Sequence, residues 1–99
     1  MSVIVDLSIF PVGKGESLAG PVARAVGIIQ ASGLDHVFGP MGTAIEGEWD
    51  EVMAVVDRCR EALHEDAERV YMTLKVDSRQ GRKGGLTAKA EAVRRRLGG

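Results

Sequence analysis

The sequence predicts an α+β fold: a four-stranded antiparallel sheet, two helices crossing one of its faces, and a further helix at the C-terminus. Three observations carry this. Val3, Val5, Leu7 and Ile9, and later Val70, Met72, Leu74 and Val76, alternate with polar neighbours at period two, the pattern of strands with one buried face. Leu18, Val22, Val26 and Ile29, and then Trp49, Val52, Met53, Val56, Cys59 and Leu63, recur at helical spacing. Between those two helical stripes, Gly39-Pro40-Met41-Gly42 sits between two short strand-like stretches and reads as the turn of a hairpin.

Each element follows in order. The first strand ends at Pro11, which cannot donate to a ladder. Val12 to Glu16 is a glycine-containing loop. Ser17 suits a helix N-cap, and Pro21 then lies in the first turn, where a missing N–H costs little. Ala19 and Ala23 are small companions of the first stripe, and Gly33 suits the residue just past its end. Asp35 to Phe38 is a short strand. The Pro and second Gly of the turn occupy the second and fourth positions favoured in a type I turn, and Thr43 to Glu48 is its return strand. Asp50 and Glu51 complement the dipole at the start of the second helix, whose stripe places Trp49 and Cys59 in the core. Asp77 to Gly85 is a polar loop, and Leu86, Ala90, Val93 and Leu97 outline the last helix, with Arg94 to Arg96 near its end. The order β-α-β-β-α-β plus a terminal helix is the ferredoxin-like split βαβ arrangement. Right-handed crossovers give strand order 4-1-3-2 and leave the second sheet face for the terminal helix to cover in part. Residues 1–99 form a single domain.

Composition narrows the function. The 99 residues suffice for one core. A net charge of −1 gives no field for nucleic acid or anionic lipid. The single cysteine excludes an internal disulfide and a thiolate-only metal site. His36 and His64 are isolated, with no ligand cluster around them, so neither metal nor cofactor is expected. No apolar run approaches the roughly 20 residues that span a bilayer, and no leader pattern is visible, so the expected location is cytoplasmic. Gly13-Lys14-Gly15-Glu16-Ser17 lacks the spacing of a phosphate-cradling P-loop.

The stretch Pro40-Met41-Gly42-Thr43-Ala44-Ile45-Glu46-Gly47-Glu48 resembles the signature of the small thiamine-binding-protein-like family, stand-alone relatives of tandem proteins that bind thiamine and hydroxymethylpyrimidine. Leu7-Ser8-Ile9-Phe10-Pro11, Ser32-Gly33-Leu34, Lys75-Val76-Asp77-Ser78-Arg79 and Lys89-Ala90-Glu91-Ala92-Val93 agree with it in order. The resemblance implies a ferredoxin-like fold, pairing of dimers into homotetramers through their sheets, and non-catalytic binding of thiamine or its pyrimidine as carrier, buffer or sensor. The first helix departs from the pattern at Ser17-Leu18-Ala19-Gly20-Pro21-Val22-Ala23, where relatives more often carry an aromatic.

An aminopyrimidine needs donors and acceptors at its edge and an apolar slab against its ring. Glu46 is the first candidate, a carboxylate for the ring's amino group; otherwise it pairs with Lys75 or an arginine across an interface. Gly47 beside it would admit a ligand or another backbone. Glu48 is read chiefly as a helix-start acid. Ser8 and Thr43 offer hydroxyls, and Phe38, Met41, Phe10 and Tyr71 offer apolar surface. Asp6, Ser8, Phe10, Ala44, Glu46, Glu48, Tyr71, Thr73 and Lys75 share the sheet face away from the helices, which is either solvated, a subunit interface or a ligand surface. Arg79, Arg82 and Lys83 form a basic loop able to hold an anion. The alternative is an amino-acid sensor of the ACT type, or an assembly module. An acylphosphatase would need an asparagine, which the chain lacks. RNA binding through the sheet would need a cluster of aromatics on the central strands, where Phe10 stands alone.

Overall fold

A computed structural model describes residues 2–13, 15, 18–81 and 84–98. Seven elements follow one another: β1 (Ser2–Val12), α1 (Ala19–Ala31), β2 (Asp35–Gly39), β3 (Gly42–Glu48), α2 (Trp49–His64), β4 (Arg69–Ser78) and α3 (Gly85–Arg96). The four strands form one antiparallel sheet in the order β2-β3-β1-β4. This is the predicted ferredoxin-like topology, read from the other edge.

The sheet register explains the core. Val5 pairs with Ile45 on one side and Val76 on the other, and Leu7 pairs with Thr43 and Leu74. Val3, Val5, Leu7, Ile9 and Ile45 are all buried, against Ala25 and Ile29 of α1 and Val52, Val55, Val56, Cys59 and Leu63 of α2. Each fully buried aliphatic side chain of this kind contributes about 1.5–3 kcal/mol. Gly47 lies on this helix face as well. A Cβ there would stand 3.1 Å from the Leu34 side chain and 3.3 Å from that of Val52, so the close neighbours of Gly47 are core side chains, and neither a ligand nor another backbone.

Several details differ from the sequence reading. β1 runs through Pro11 to Val12. Its ladder with β3 ends at Leu7, so at Pro11 the strand is paired with β4 alone, and a missing donor is tolerated there. In α1 the small residue that packs is Ala25, while Ala19 and Ala23 face outward. The N-cap is Leu18, without a side-chain cap; Ser17 lies outside the described residues. Trp49, expected in the core, is 47% exposed. β3 passes into α2 without a loop, and Trp49 is the first helical residue, so helical spacing puts it on the right stripe at a height where its indole is not covered. Gly33 ends α1 with φ +76°, as its position foretold.

α1 and α2 are tied at one end by Arg24. Its guanidinium donates to Asp66 Oδ2 at 2.7 Å, Glu65 Oε2 at 2.9 Å and the Ala62 carbonyl at 2.7 Å. α3 lies on the other side of the sheet, against β3 and β2. It covers that half and leaves Phe10, Tyr71, Thr73 and Lys75 on the β1–β4 half uncovered.

Candidate functional site

An apolar cavity forms where the sheet runs out. The β1–β3 ladder stops at Leu7 and Thr43, but β1 continues for five more residues. Beyond Leu7, β4 pairs with one side of β1 and, among the described residues, no strand pairs with the other. Every second residue there turns its N–H and C=O towards that bare side. The β2–β3 hairpin, with Pro40 and Met41 at its tip, stands on one flank, and α1 passes over the gap. The enclosed volume is about 190 Å³. Apolar side chains of Leu18, Val22, Val26, Ile29 and Phe38 make most of the wall.

Two hydroxyl-bearing residues, Thr43 and Ser8, line this otherwise apolar wall. Thr43 is only 5% exposed, and no described group makes a hydrogen bond with its hydroxyl. Ser8, half-buried, lines the cavity from the opposite sheet face. A buried hydroxyl without a partner loses its hydration and gains nothing inside the protein, a cost of about 1–3 kcal/mol that a bound polar group can offset. Phe38 and Met41 stand at the rim. Met41 is 86% exposed at the hairpin tip, an unusual place for an apolar side chain. Gly42 keeps the hairpin close to β1, since a Cβ there would lie 2.8 Å from the Leu7 carbonyl oxygen.

Four of the residues expected at a ligand therefore meet at one cavity: Ser8, Phe38, Met41 and Thr43. The other two do not line it. Tyr71 lies on the uncovered sheet face, its ring stacked on Phe10 with centroids 5.4 Å apart. Phe10 also borders the cavity and so joins the two surfaces. Glu46, 6% exposed, is covered by α3. Its Oε2 accepts from the Gly85 N–H at 2.8 Å and its Oε1 from that of Leu86 at 3.5 Å. Its partners among the described residues are backbone amides of its own chain. Arg79 is exposed just past the end of β4; Arg82 and Lys83 lie outside the described residues. Sequence reasoning assigned Leu18 and Val22 to the core alone, although they also wall the cavity.

No charged side chain lines the cavity among the described residues. Cys59 is fully buried elsewhere, its Sγ 3.5 Å from the Ala25 carbonyl, and desolvation pushes its thiol up to about 11. His36 Nδ1 is 2.9 Å from the Leu34 carbonyl and His64 Nδ1 3.0 Å from that of Ala67. The described residues hold no group of three or more potential metal ligands. No helix among them is long and apolar enough to cross a membrane.

Topology and site together define a ferredoxin-like α+β domain with an apolar, hydroxyl-bearing cavity at the end of its sheet. Residues 5–94 match the thiamine-binding protein family, and the chain belongs to that family. It is 43% identical over 98 residues to the UPF0045 protein Mb1933 of Mycobacterium bovis, covering 98% of this chain and 96% of that one. A Synechocystis UPF0045 protein is 38% identical over 94 residues, covering 94% and 78%. Among solved structures, protein MJ1052 of Methanocaldococcus jannaschii superposes with a TM-score of 0.85 at 29% identity, covering 93% of this chain and 95% of that one. A Thermotoga maritima protein, provisionally assigned to thiamine biosynthesis or salvage, superposes with a TM-score of 0.79 at 25% identity, covering 92% and 99%. These matches lend no support to the amino-acid-sensor alternative.

Proposed function

We propose that the chain binds thiamine or its hydroxymethylpyrimidine moiety without catalysis, with the pyrimidine ring in the cavity between α1 and the β2–β3 hairpin. The carrying observation is Thr43: a buried residue whose hydroxyl has no hydrogen-bond partner among the described residues, lining an apolar cavity, in a member of the thiamine-binding protein family. Phe38 and Met41 supply surface for the ring at the rim. Thr43, Ser8 and the unpaired backbone edge of β1 supply the donors and acceptors that an aminopyrimidine edge requires. The cavity is smaller than the roughly 300–1,000 Å³ usual for drug-sized ligands. It suits one six-membered ring, so the thiazolium of thiamine would lie at the mouth, against Phe38 and Met41.

The absence of acids, bases and thiols from the described lining supports binding over chemistry. The role is that of a carrier, buffer or sensor. Titration calorimetry with hydroxymethylpyrimidine and thiamine tests the reading. Saturable one-site binding, weakened in Thr43→Val, is expected. A folded protein that binds neither compound would overturn it.

The same reading includes a homo-oligomer, a pair of dimers, assembled through the uncovered sheet half that carries the Phe10–Tyr71 stack. Sedimentation velocity of the wild type and Tyr71→Lys checks this. A tetramer that dissociates on substitution is expected, and a monomeric wild type would refute it.

A further inference from the structure

β4 is a long strand on an open edge of the sheet. It closes the sheet order, so β1 pairs with one of its sides and no strand among the described residues pairs with the other. It runs for ten residues, Arg69–Ser78, against five for the other edge strand, β2. It contains no proline. An edge of this kind is a template for another strand.

The free groups belong to particular residues. A Cβ at Gly42 would lie 2.8 Å from the Leu7 carbonyl oxygen, so Leu7 turns its C=O towards β3. Direction alternates along a strand, so Asp6, Ser8 and Phe10 turn their N–H and C=O towards β4. Their partners Lys75, Thr73 and Tyr71 are therefore bonded to β1, and Val70, Met72, Leu74 and Val76 direct their N–H and C=O to the free edge. The same four residues form an apolar row that the helices cover incompletely. Val70, Met72 and Leu74 are half-buried against the core, and Val76 is 43% exposed.

The sequence of β4 is self-complementary about Thr73. Laid antiparallel on a second copy with Thr73 opposite its own counterpart, Met72 faces the partner's Leu74 and Val70 faces the partner's Val76. Each such pair exchanges two backbone hydrogen bonds, and the two apolar rows cover one another. On the other sheet face Arg69 stands opposite the partner's Asp77, and Tyr71 opposite the partner's Lys75. Opposite charges and a cation beside an aromatic ring are both favourable cross-strand pairs. Moving the axis by one residue ends the match. Centred on Met72, the pairing sets Arg69 against the partner's Lys75; centred on Leu74, it sets Arg69 against the partner's Arg79. An axis between two residues would put the apolar row of one copy on the polar face of the other.

We infer that the free edge of β4 is an interface for a second copy of this chain, the two β4 strands pairing antiparallel about Thr73 so that two sheets join into one. This contact lies in the plane of the sheet and does not rest on the face-to-face contact of the Phe10–Tyr71 half. It also sets the two uncovered halves side by side, because β1 is next to β4 in each copy.

Cysteine pairing under mild oxidation tests the register. Cys59, the single native cysteine, is fully buried and does not compete. Thr73→Cys puts a thiol on the two-fold axis at a non-hydrogen-bonded pair, where Cα atoms stand about 4.5 Å apart, within disulfide reach. It should give a cross-linked dimer. Lys75→Cys should not, since its counterpart lies about 13 Å along the strand. A mixture of Lys75→Cys and Tyr71→Cys chains should cross-link. Val76→Pro removes an N–H that serves the free edge and leaves the β1 ladder intact, so it should fold and sediment at half the mass of the wild type. A monomeric wild type, a folded Val76→Pro of unchanged mass, or Lys75→Cys cross-linking as readily as Thr73→Cys would overturn the inference. A wild type that assembles while Thr73→Cys gives no cross-link would leave the face-to-face contact standing and remove this one. Should Val76→Pro not fold, the cross-linking pattern decides alone.

Discussion

Glu46 Oε2 accepts a hydrogen bond from the Gly85 N–H at 2.8 Å, joining the middle of β3 to the start of α3 across 39 residues. The terminal helix thus takes its N-terminal cap from a strand. Gly84, at its own N-cap position, is left-handed at φ 69° and has no side chain to serve. Among the described side chains of α3 none is fully buried, so this carboxylate is a principal attachment of the helix to the sheet.

Replacing Glu46 by Ala should accordingly cost about 1.5–3 kcal/mol, the usual value of hydrogen bonds to a charged group. The loss should appear first as faster amide exchange and proteolysis within α3, while the β1–β4 ladder stays protected. Hydrogen exchange followed residue by residue checks this; uniform loss of protection across the sheet would show that α3 is not a separately held element.

Gly42→Ala should be destabilising by about 1–3 kcal/mol, the range for forcing extra volume into a packed place. The new methyl would meet the Leu7 carbonyl oxygen at 2.8 Å and a carboxylate oxygen of Asp6 at 3.2 Å. The hairpin must then move from β1, which also opens the cavity. Urea denaturation gives the stability change, and Gly20→Ala, with open space around it, is the matched control with little expected effect.

Burial of Cys59 predicts a pH dependence at the alkaline end. The folded thiol is pushed up to about 11, against an ordinary value of 9.0, with desolvation as the largest cause. Below about pH 9 both folded and unfolded chains keep the proton, and the thiol contributes no slope. Between about 9 and 11 the unfolded thiol ionises first, the folded state holds more protons, and stability falls as pH rises. Urea midpoints at pH 8 and pH 10 for wild type and Cys59→Ala measure this. The decrease should be smaller in the variant, and an equal decrease in both would assign it to other groups.

Much of the fold was legible because each element had one buried face. The alternation in β1 and β4 and the spacing in α2 record which residues meet the core. Periodicity reports direction around an element and says nothing of what stands opposite at that height. For that reason Trp49 lies on the correct stripe of α2 and is nevertheless exposed, and Ala25 packs where Ala19 and Ala23 were favoured. Glu46 illustrates the same limit. Alternation put it on the face away from the two crossover helices, but its partner is a backbone amide on an element whose position is set by tertiary packing.

The site was legible in part for a related reason. Ser8 and Thr43 lie on opposite faces of the sheet by strict alternation. They meet at one cavity because the β3 ladder ends beside them, and an end of pairing leaves no mark in hydrophobic period. Leu18 and Val22 read as core because they fall on the apolar stripe of α1, but Leu18 is exposed and both wall the cavity.

The central claim is that the Thr43 hydroxyl meets a ring inside this cavity. Calorimetric titration of hydroxymethylpyrimidine into the wild type and Thr43→Val tests it most directly. Because the variant keeps the branched shape and removes only the hydroxyl, the account predicts that it folds and binds the ring more weakly by about 1–3 kcal/mol, the cost of an unmet buried polar group on the ligand. Equal affinity for the two proteins would place the ligand elsewhere and contradict the account.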